Sequence, residues 1–235
     1  MVKIESFEKY SNEYDKWFIK NKNIYLAELN AIKNLIPSNK FGVEIGIGSG
    51  RFALPLGIKL GLDPSEKMAK ISKKRGIQFC KAVAEQLPFN DKTFDFILII
   101  TTICFVDDLV NSLKEVHRVL KKEGFIIIGF VDKESELGKR YQLKRKKSKF
   151  YKNATFYSVK EVINVLRQTN FKDIIIKQTV FTNQKDKLDS IEDGYGKGSF
   201  VVIKANKKTI DEKTNEQDTE KQDINSEGQT DALMF

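Results

Sequence analysis

The stretch VEIGIGSGRF, Val43 to Phe52, decides the fold of this chain of 235 residues. A short apolar run ends there, and Gly46, Gly48 and Gly50 follow it. Glycines behind a strand allow tight backbone turns and let a ligand approach the main chain closely. Because ligands of open parallel sheets bind at the carboxyl ends of strands, the stretch predicts a binding turn between the first strand and the next helix. An ordinary strand-to-helix turn remains the alternative.

Two acidic residues narrow down the ligand. Asp63 ends the second predicted strand in GLDP, where a carboxylate can accept hydrogen bonds from both hydroxyls of a ribose. Glu44 precedes the glycines, and a negative charge there would repel a pyrophosphate and suit a cation. The dinucleotide fingerprint GxGxxG is absent, which disfavours a nicotinamide dehydrogenase. These features favour a nucleoside that carries a positive charge and no phosphate, such as S-adenosylmethionine.

Strands and helices alternate along the rest of the chain. Apolar runs predict seven strands, at residues 41–47, 58–63, 77–84, 94–100, 125–131, 171–181 and 198–205. Periodic or capped segments predict helices at residues 11–36, 49–57, 64–76, 107–124 and 158–170. Since only a loop joins the last two strands, one of them should be antiparallel. We therefore predict an α/β, Rossmann-like, mostly parallel seven-stranded sheet with helices on both faces and an antiparallel strand near the C-terminus.

Four motifs in order carry a family resemblance. They are VEIGIGSGRFALPL, GLDPSEKM, AEQLPFNDKTFDFILI and LKEVHRVLKKEGFIIIG. Together they resemble the class I methyltransferases that use S-adenosylmethionine, in particular the small-molecule enzymes similar to ubiquinone and menaquinone methyltransferases (methyltransferase type 11). The resemblance implies an enzyme that transfers a methyl group from S-adenosylmethionine to a small-molecule acceptor by in-line displacement, leaving S-adenosylhomocysteine. It implies no metal and does not identify the acceptor.

The resemblance also implies roles for residues of this chain. Glu44, Gly46, Gly48 and Gly50 would surround the methionine part of the cofactor, and Asp63 would bind the ribose. Further cofactor contacts are implied near the adenine and under the sulfonium, at Met68, Ala84, Glu85 and Thr101.

The early helix, YSNEYDKWF, resembles the cofactor lid of the family. Tyr14 is expected to cover the cofactor, because a Tyr hydroxyl can reach a polar ligand while its ring packs. Candidates for acceptor contacts are Tyr10, Trp17, Phe105 and Tyr141. The catalytic residue stays unknown, since His117, the only histidine, lies in the middle of a helix, where a structural or exposed side chain is expected. A general base is needed only if the acceptor is protonated at neutral pH.

Two departures from the family pattern bear on cofactor contacts. Many relatives have an acidic residue where Val83 stands, so the contact to the adenine must come from the backbone near Ala84 or from Glu85. Only 13 positions separate Gly50 from Asp63, which is about one helical turn fewer than is common in the family. The first crossover helix is therefore expected to be clipped at its far end.

Charge is spread unevenly. The whole chain carries +9, while residues 205–235 hold 4 Lys against 8 Asp and Glu, a net charge of −4. From Lys139 to Lys152, 8 of 14 residues are basic and none is acidic. We interpret this basic stretch as a solvated helix or loop, as a gate for an anionic acceptor, or as an RNA-binding element with aromatic residues for stacking. An RNA-binding or RNA-modifying protein of the same fold is the alternative function.

The same features give a domain organisation. Residues 1–204 are expected to form the S-adenosylmethionine-binding domain, with a helical lid at 1–36 and a basic substrate-side insertion at 132–158. Residues 205–235 are expected to be an acidic disordered tail.

Localisation follows from what the sequence lacks. The start has no signal-peptide core, and the longest apolar stretch, FILIITTICFV, is too short to span a bilayer. Cys80 and Cys104 have no CxxC spacing, as expected of free thiols in a reducing compartment. We therefore expect a cytoplasmic protein with no membrane partner, and its oligomeric state stays open.

Overall fold

An eight-stranded sheet forms the centre of the protein in a computed structural model that describes residues 3–182 and 190–209. Its strands are β1 (Gly42–Ile45), β2 (Leu60–Leu62), β3 (Gln78–Cys80), β4 (Phe94–Ile100), β5 (Leu120–Val131), β6 (Phe171–Thr179), β7 (Glu192–Asp193) and β8 (Phe200–Lys207). They lie side by side in the order β3-β2-β1-β4-β5-β8-β6-β7.

The strand directions confirm the predicted Rossmann-like class. The first five strands pair in parallel, whereas β8 is antiparallel to both of its neighbours, β5 and β6. The sequence predicted seven strands, and the additional one, β7, is a two-residue strand at the edge beside β6. It lies in a segment predicted as a loop, of which residues 183–189 lie outside the described residues.

Helices cover both faces of the sheet. They are α1 (Glu5–Lys9), α2 (Ser11–Lys20), α3 (Lys22–Lys33), α4 (Glu66–Lys74), α5 (Leu109–Val119), α6 (Glu136–Lys144) and α7 (Val159–Gln168). Side chains of β4 alternate between two cores: Ile97 and Ile99 pack with α5 and α7, and Leu98 and Ile100 pack with α2 and α3. Burial on both faces is what a central parallel strand requires.

The helix predicted over residues 11–36 is interrupted. Asn21 leaves the helical conformation (φ −114°, ψ 42°), and its side-chain amide donates to the Trp17 carbonyl at 3.0 Å. Asn side chains compete in this way with helical backbone hydrogen bonds. As a result α2 and α3 are separate helices, and Phe18 is the buried aromatic residue of α2.

The helix predicted over residues 49–57 forms only as turns and a 3-10 helix, Leu54–Leu56. Pro55 lies within it, and Gly57 ends it with a φ of 73°. Proline donates no helical hydrogen bond and a left-handed glycine ends a helix, so the segment stays short. The clipping of the first crossover is therefore larger than the sequence predicted.

Two boundaries also differ from the prediction. α5 ends at Val119 because Leu120 is fully buried and pairs with Phe94, so β5 begins where the sequence predicted the last helical turn. β8 continues to Lys207, past the predicted domain limit at residue 204. From residue 210 on, the predicted acidic tail lies outside the described residues.

Candidate functional site

The turn after β1 has a backbone that glycine adopts most readily. Gly46, Gly48 and Gly50 have φ values of 69°, 51° and 78°. A Cβ atom on Gly46 would collide with the Thr102 side chain, and a Cβ atom on Gly48 would lie 3.6 Å from the Tyr14 ring. Gly46 and Gly48 line a cavity at the carboxyl ends of β1, β2 and β4, whereas Gly50 does not. We call this space the turn cavity.

Asp63 lines the turn cavity from the end of β2. One of its carboxylate oxygens accepts a hydrogen bond from the Gly48 amide at 2.9 Å, and the other accepts from the Ser65 amide at 2.8 Å. Burial raises the pKa of Asp63 to about 6, although both amides oppose the rise. Since a carboxylate oxygen can accept more than one hydrogen bond, Asp63 can also bind ligand hydroxyls.

The end of β4 closes the turn cavity on the other side. Thr101 has a φ of 51°, which is strained for a β-branched residue, and its amide donates to the Gly129 carbonyl at 2.7 Å. The Thr102 hydroxyl lies 2.9 Å from the Ile100 carbonyl and 3.3 Å from the Gly46 carbonyl, so it can donate to either. Such strain is often found at functional sites, and both threonines line the turn cavity.

Helices α1 and α2 cover the turn cavity. Phe7 and Tyr14 line it together with Phe105, and their rings meet edge to face at 5.5 Å (Phe7–Tyr14) and 4.9 Å (Phe7–Phe105) between centroids. Burial raises the pKa of the Tyr14 hydroxyl far above its usual value, and a hydrogen bond with Thr101 opposes the rise. Tyr14, which the sequence predicted as a covering residue, therefore lies over the turn together with Phe7.

A charged cluster ties α2 to the glycine turn. Asp15 accepts two hydrogen bonds from Arg51, both at 2.8 Å, and two from Arg75, at 2.8 and 2.9 Å. Burial alone would raise the pKa of Asp15, but the two guanidinium groups hold it at about 2. Arg75 also donates to the Ser49 carbonyl inside the turn. We call these three charged side chains the Asp15 clamp.

A second space, the edge cavity, adjoins the turn cavity at Pro64 and Phe105, which line both. Ala84 and Glu85, predicted to lie near the adenine, line the edge cavity. The Glu85 carboxylate also accepts hydrogen bonds from two backbone amides just before α5, at 2.7 and 3.1 Å. Met68 is fully buried in α4 and lines neither cavity.

Three further predicted residues do not line these cavities. Glu44 is 1% exposed, and burial raises its pKa well above the usual range, which favours the protonated form. Trp17 packs against Phe18 at 5.2 Å between ring centroids. Tyr10 packs against Phe150, at 6.2 Å.

A third space, the tyrosine cavity, lies beyond Thr101, which lines it as well as the turn cavity. The other lining residues are Ile103, Cys104, Phe130, Val131, Tyr141, Tyr151, Phe156 and Tyr157. The basic stretch supplies Tyr141 and Tyr151, while its eight basic side chains are all exposed. Its helix α6 and the 3-10 helix Arg145–Lys147 fit the solvated interpretation, and the RNA-binding alternative stays a prediction.

All three cavities are narrow. The turn cavity measures about 70 Å³, the edge cavity about 50 Å³ and the tyrosine cavity about 20 Å³. Ligand sites usually span about 300–1,000 Å³. A ligand of nucleoside size therefore requires the covering helices α1 and α2 to move outward.

Comparison with known proteins identifies the family. Residues 43–128 match the family model described as a methyltransferase domain. An uncharacterized protein of Methanocaldococcus jannaschii is 51% identical over 203 residues, covering 86% of this chain and 98% of that protein. The crystal structure of a SAM-dependent methyltransferase of Thermotoga maritima, described as a possible histamine N-methyltransferase, is 48% identical. It superposes with a TM-score of 0.84 and covers 87% of this chain and 100% of that one.

The chain belongs to the class I methyltransferases that use S-adenosylmethionine. A ubiquinone/menaquinone biosynthesis C-methyltransferase of Rickettsia felis is 34% identical over 145 residues, covering 52% of this chain and 58% of that enzyme. The predicted resemblance to the type 11 methyltransferases is therefore confirmed, and S-adenosylmethionine is the cofactor of the family.

Several residues around the site of this methyltransferase were missed in the sequence. Besides Phe7, they are Glu8, which accepts from the Ser65 hydroxyl at 2.6 Å, and the Asp15 clamp. Asp15 and Arg75 are 60 positions apart, so no local pattern joins them. The available signal was the acidic residues of FEKYSNEYD, interleaved with the aromatic ones that were singled out.

Other reactive groups lie outside the site. The ring of His117 lies 3.2 Å from the Lys208 carbonyl, beyond β8 and away from all three cavities. Cys80 and Cys104 are free thiols. Over residues 3–182 and 190–209, no group of three or more His, Cys, Asp or Glu could hold a metal ion. In the same part of the chain, every helix is too short or too polar to cross a membrane.

Proposed function

We propose that this methyltransferase transfers the methyl group of S-adenosylmethionine to a small-molecule acceptor, with the turn cavity as the cofactor site. The observation that carries the proposal is the convergence of Gly46, Gly48, Asp63 and Thr101 on one cavity under α1 and α2. This is the carboxyl end of a parallel sheet, where ligands of such folds bind.

The residues present fit the cofactor. Gly46 and Gly48 offer side-chain-free backbone to its amino-acid part, and Asp63 offers carboxylate oxygens to its ribose hydroxyls. The edge cavity, with Ala84 and Glu85, lies on the side where the adenine would extend. When bound, S-adenosylmethionine supplies a methyl group on positively charged sulfur, which is already activated for in-line displacement.

The protein then has to align the acceptor and exclude water. The rings of Phe7, Tyr14 and Phe105 cover part of the turn cavity. Alignment of two reactants can contribute several kcal/mol to catalysis, at roughly 3–3.5 Å between the reacting atoms. Exclusion of water strengthens electrostatic interactions inside the site. A cover that opens for the cofactor and closes over it would both align the acceptor and exclude water.

The related enzymes differ in acceptor. The Thermotoga protein is described as a possible histamine N-methyltransferase, and the Rickettsia enzyme is a C-methyltransferase of quinone biosynthesis. Residues that choose the acceptor should therefore lie beyond the turn cavity, which serves the shared cofactor.

Calorimetry with S-adenosylhomocysteine tests the cofactor site. We expect the wild type to bind it and Asp63→Ala to bind it at least tenfold more weakly, which is about 1.4 kcal/mol. The control is Lys146→Ala, an exposed change in the basic stretch, which should alter the affinity less than twofold. No binding to the wild type at high micromolar ligand would refute the proposal, and equal effects of the two changes would refute the assignment of Asp63.

A further inference from the structure

The walls of the tyrosine cavity are aromatic. Tyr151 stacks on Tyr141 at 5.0 Å between ring centroids and on Phe105 at 5.9 Å, and Phe156 lies 5.8 Å away. Phe105 lies outside the lining of the tyrosine cavity and lines the turn cavity. The two spaces therefore share Thr101 as a wall and are joined by a continuous stack of rings.

No Lys or Arg side chain is among the residues that line the tyrosine cavity. The basic side chains of the neighbouring stretch are exposed, so their charges lie in water on the outer side. Aromatic faces attract cations and offer nothing to an anion. This arrangement favours a positively charged guest over the anionic acceptor that the basic stretch first suggested.

Glu28 adds a buried carboxyl group near this cavity. It is 6% exposed in α3, and its carboxylate has no hydrogen bond or ion pair with any residue that the structure describes. Burial raises its pKa to about 8. A buried carboxylate without a partner is costly, and such groups are usually paired.

Glu28 does not itself line the tyrosine cavity, but the register of α3 places it toward the same end of the sheet. The carbonyl of Leu35, just beyond the end of α3, accepts from Lys204, which pairs with Ile127 in the middle of β5. Glu28 lies seven residues earlier in the chain, about 10 Å toward the carboxyl end of β5. There Val131 packs against the core that contains α3 and also lines the tyrosine cavity.

Four tyrosines lie close enough to Glu28 to respond to its charge. Burial raises the pKa of Tyr14, Tyr25, Tyr141 and Tyr151, and the charge of Glu28 raises each further. No charged side chain in the described ranges contributes to the shift of Glu28 itself. A bound cation would therefore give Glu28 a counterpart that no charged side chain in the described ranges provides.

We propose that the tyrosine cavity is the acceptor site and that Glu28 selects an acceptor that carries an ammonium group. The proposal rests on the function proposed above. The ammonium group lies against the aromatic side chains and pairs with the Glu28 carboxylate. The rest of the acceptor extends past Thr101 into the turn cavity, where an atom with a free lone pair takes the methyl group as its bond to sulfur breaks. The cavity has to widen to admit it, and its lining comes from the ends of β4 and β5, from α6 and from residues 151–157.

Binding has a signature besides turnover. At pH 7 the empty site holds Glu28 mostly protonated, because burial raises its pKa to about 8. A cation at its side favours the ionised form, so binding of an ammonium releases close to one proton to the buffer. Calorimetry in two buffers with different heats of ionisation counts that proton.

The experiment titrates four probes into the protein saturated with S-adenosylhomocysteine. They are 2-phenylethylamine and histamine, the neutral 2-phenylethanol and the anionic 3-phenylpropionate. We expect an amine to bind with proton release and the neutral and anionic probes to bind at least tenfold more weakly. Glu28→Gln should bind the amine at least tenfold more weakly and without proton release. The control, Glu136→Gln, changes an exposed residue of α6 and should match the wild type.

The two proposals fail separately. If S-adenosylhomocysteine binds but neither amine does, or 3-phenylpropionate binds as well as the amines, the acceptor site is wrong and the cofactor site stands. Amine binding with unchanged proton release in Glu28→Gln also overturns it. If S-adenosylhomocysteine itself does not bind, both proposals fail. Its undiminished binding to Glu28→Gln shows that this variant is folded.

Discussion

Glu44 is a carboxyl group enclosed by the protein at the start of the glycine turn. One oxygen, Oε2, has no hydrogen-bond partner, and burial holds the pKa well above the usual range. The native state therefore keeps a proton that the unfolded chain releases near pH 4.3. Between these two pKa values the unfolded state binds fewer protons, so the free energy of unfolding falls as the pH rises.

Replacement of the Glu44 carboxyl by an amide should remove the contribution of this group to the pH dependence of the free energy of unfolding. In Glu44→Gln, the free energy of unfolding should rise relative to the wild type between pH 5 and pH 8, by at most about 1.4 kcal/mol per pH unit. Urea denaturation at several pH values measures it. Glu123→Gln, at an exposed position of β5, serves as control and should run parallel to the wild type. A parallel curve for Glu44→Gln would show that Glu44 is ionised in the native state.

Asp63 predicts how cofactor affinity responds to acid. Its pKa, raised to about 6 by burial, lies close to neutrality, and only the ionised form offers all its lone pairs to ribose hydroxyls. Affinity for S-adenosylhomocysteine should be flat above pH 7 and fall below pH 6, by at most about tenfold per pH unit. Titration calorimetry from pH 5 to 8 checks this. An equally steep fall in Asp63→Asn would assign the effect to another group.

At the scale of elements, the Asp15 clamp ties α2 to Arg51 and Arg75, so we expect it to limit how readily α2 moves away from the site. The three side chains are only 19–24% exposed, so their hydrogen bonds are stronger than those of surface pairs. Asp15→Asn keeps the size of the side chain and removes its charge. We expect a loss of about 1–3 kcal/mol in the free energy of unfolding at pH 7 and faster exchange of S-adenosylhomocysteine.

At low pH, the difference in the free energy of unfolding between the wild type and Asp15→Asn should disappear. Because the folded pKa of Asp15 is about 2, its contribution is present above the unfolded value of about 3.9 and is lost as the pH falls toward 2. The matched control on the same helix is Glu13→Gln, which breaks an exposed pair with Lys149 and should cost less than about 1 kcal/mol. Equal losses in the free energy of unfolding for the two variants at pH 7 would show that the Asp15 clamp contributes no more than an exposed ion pair.

The accuracy of sequence-based prediction depends on how local the determinant is. The glycine turn and Asp63 were readable because a few adjacent residues fix the backbone and the strand end. The break at Asn21 and the helix end at Val119 were not, since one depends on a side-chain hydrogen bond and the other on burial of Leu120 against Phe94. Glu28 shows the same limit. Its position in the sequence is unremarkable, and only the folded structure shows that it is buried and close to four tyrosines.

At the scale of the whole molecule, the C-terminal limit of the domain can be tested by truncation. A chain that ends at Thr209 keeps all of β8 and should melt at nearly the same temperature as the full chain. A chain that ends at Ala205 loses the pairing of Lys207 with Phe171 and its side-chain hydrogen bond to the Leu120 carbonyl at 2.8 Å. It should melt a few degrees lower, because each kcal/mol lost from the free energy of unfolding lowers the melting temperature of a domain of this size by about 2–4 °C. Calorimetric melting distinguishes them, and a large drop already at Thr209 would mean that the acidic tail packs.

Thr101 belongs to two cavities at once, and its strained backbone fixes it there. Thr101 is thus the residue that the linings of the two cavities have in common. An inhibitor could straddle it, with an adenosine moiety on one side, a basic arm on the other and a linker of a few atoms. Such a bisubstrate compound would discriminate this enzyme from relatives that share only the adenosine half.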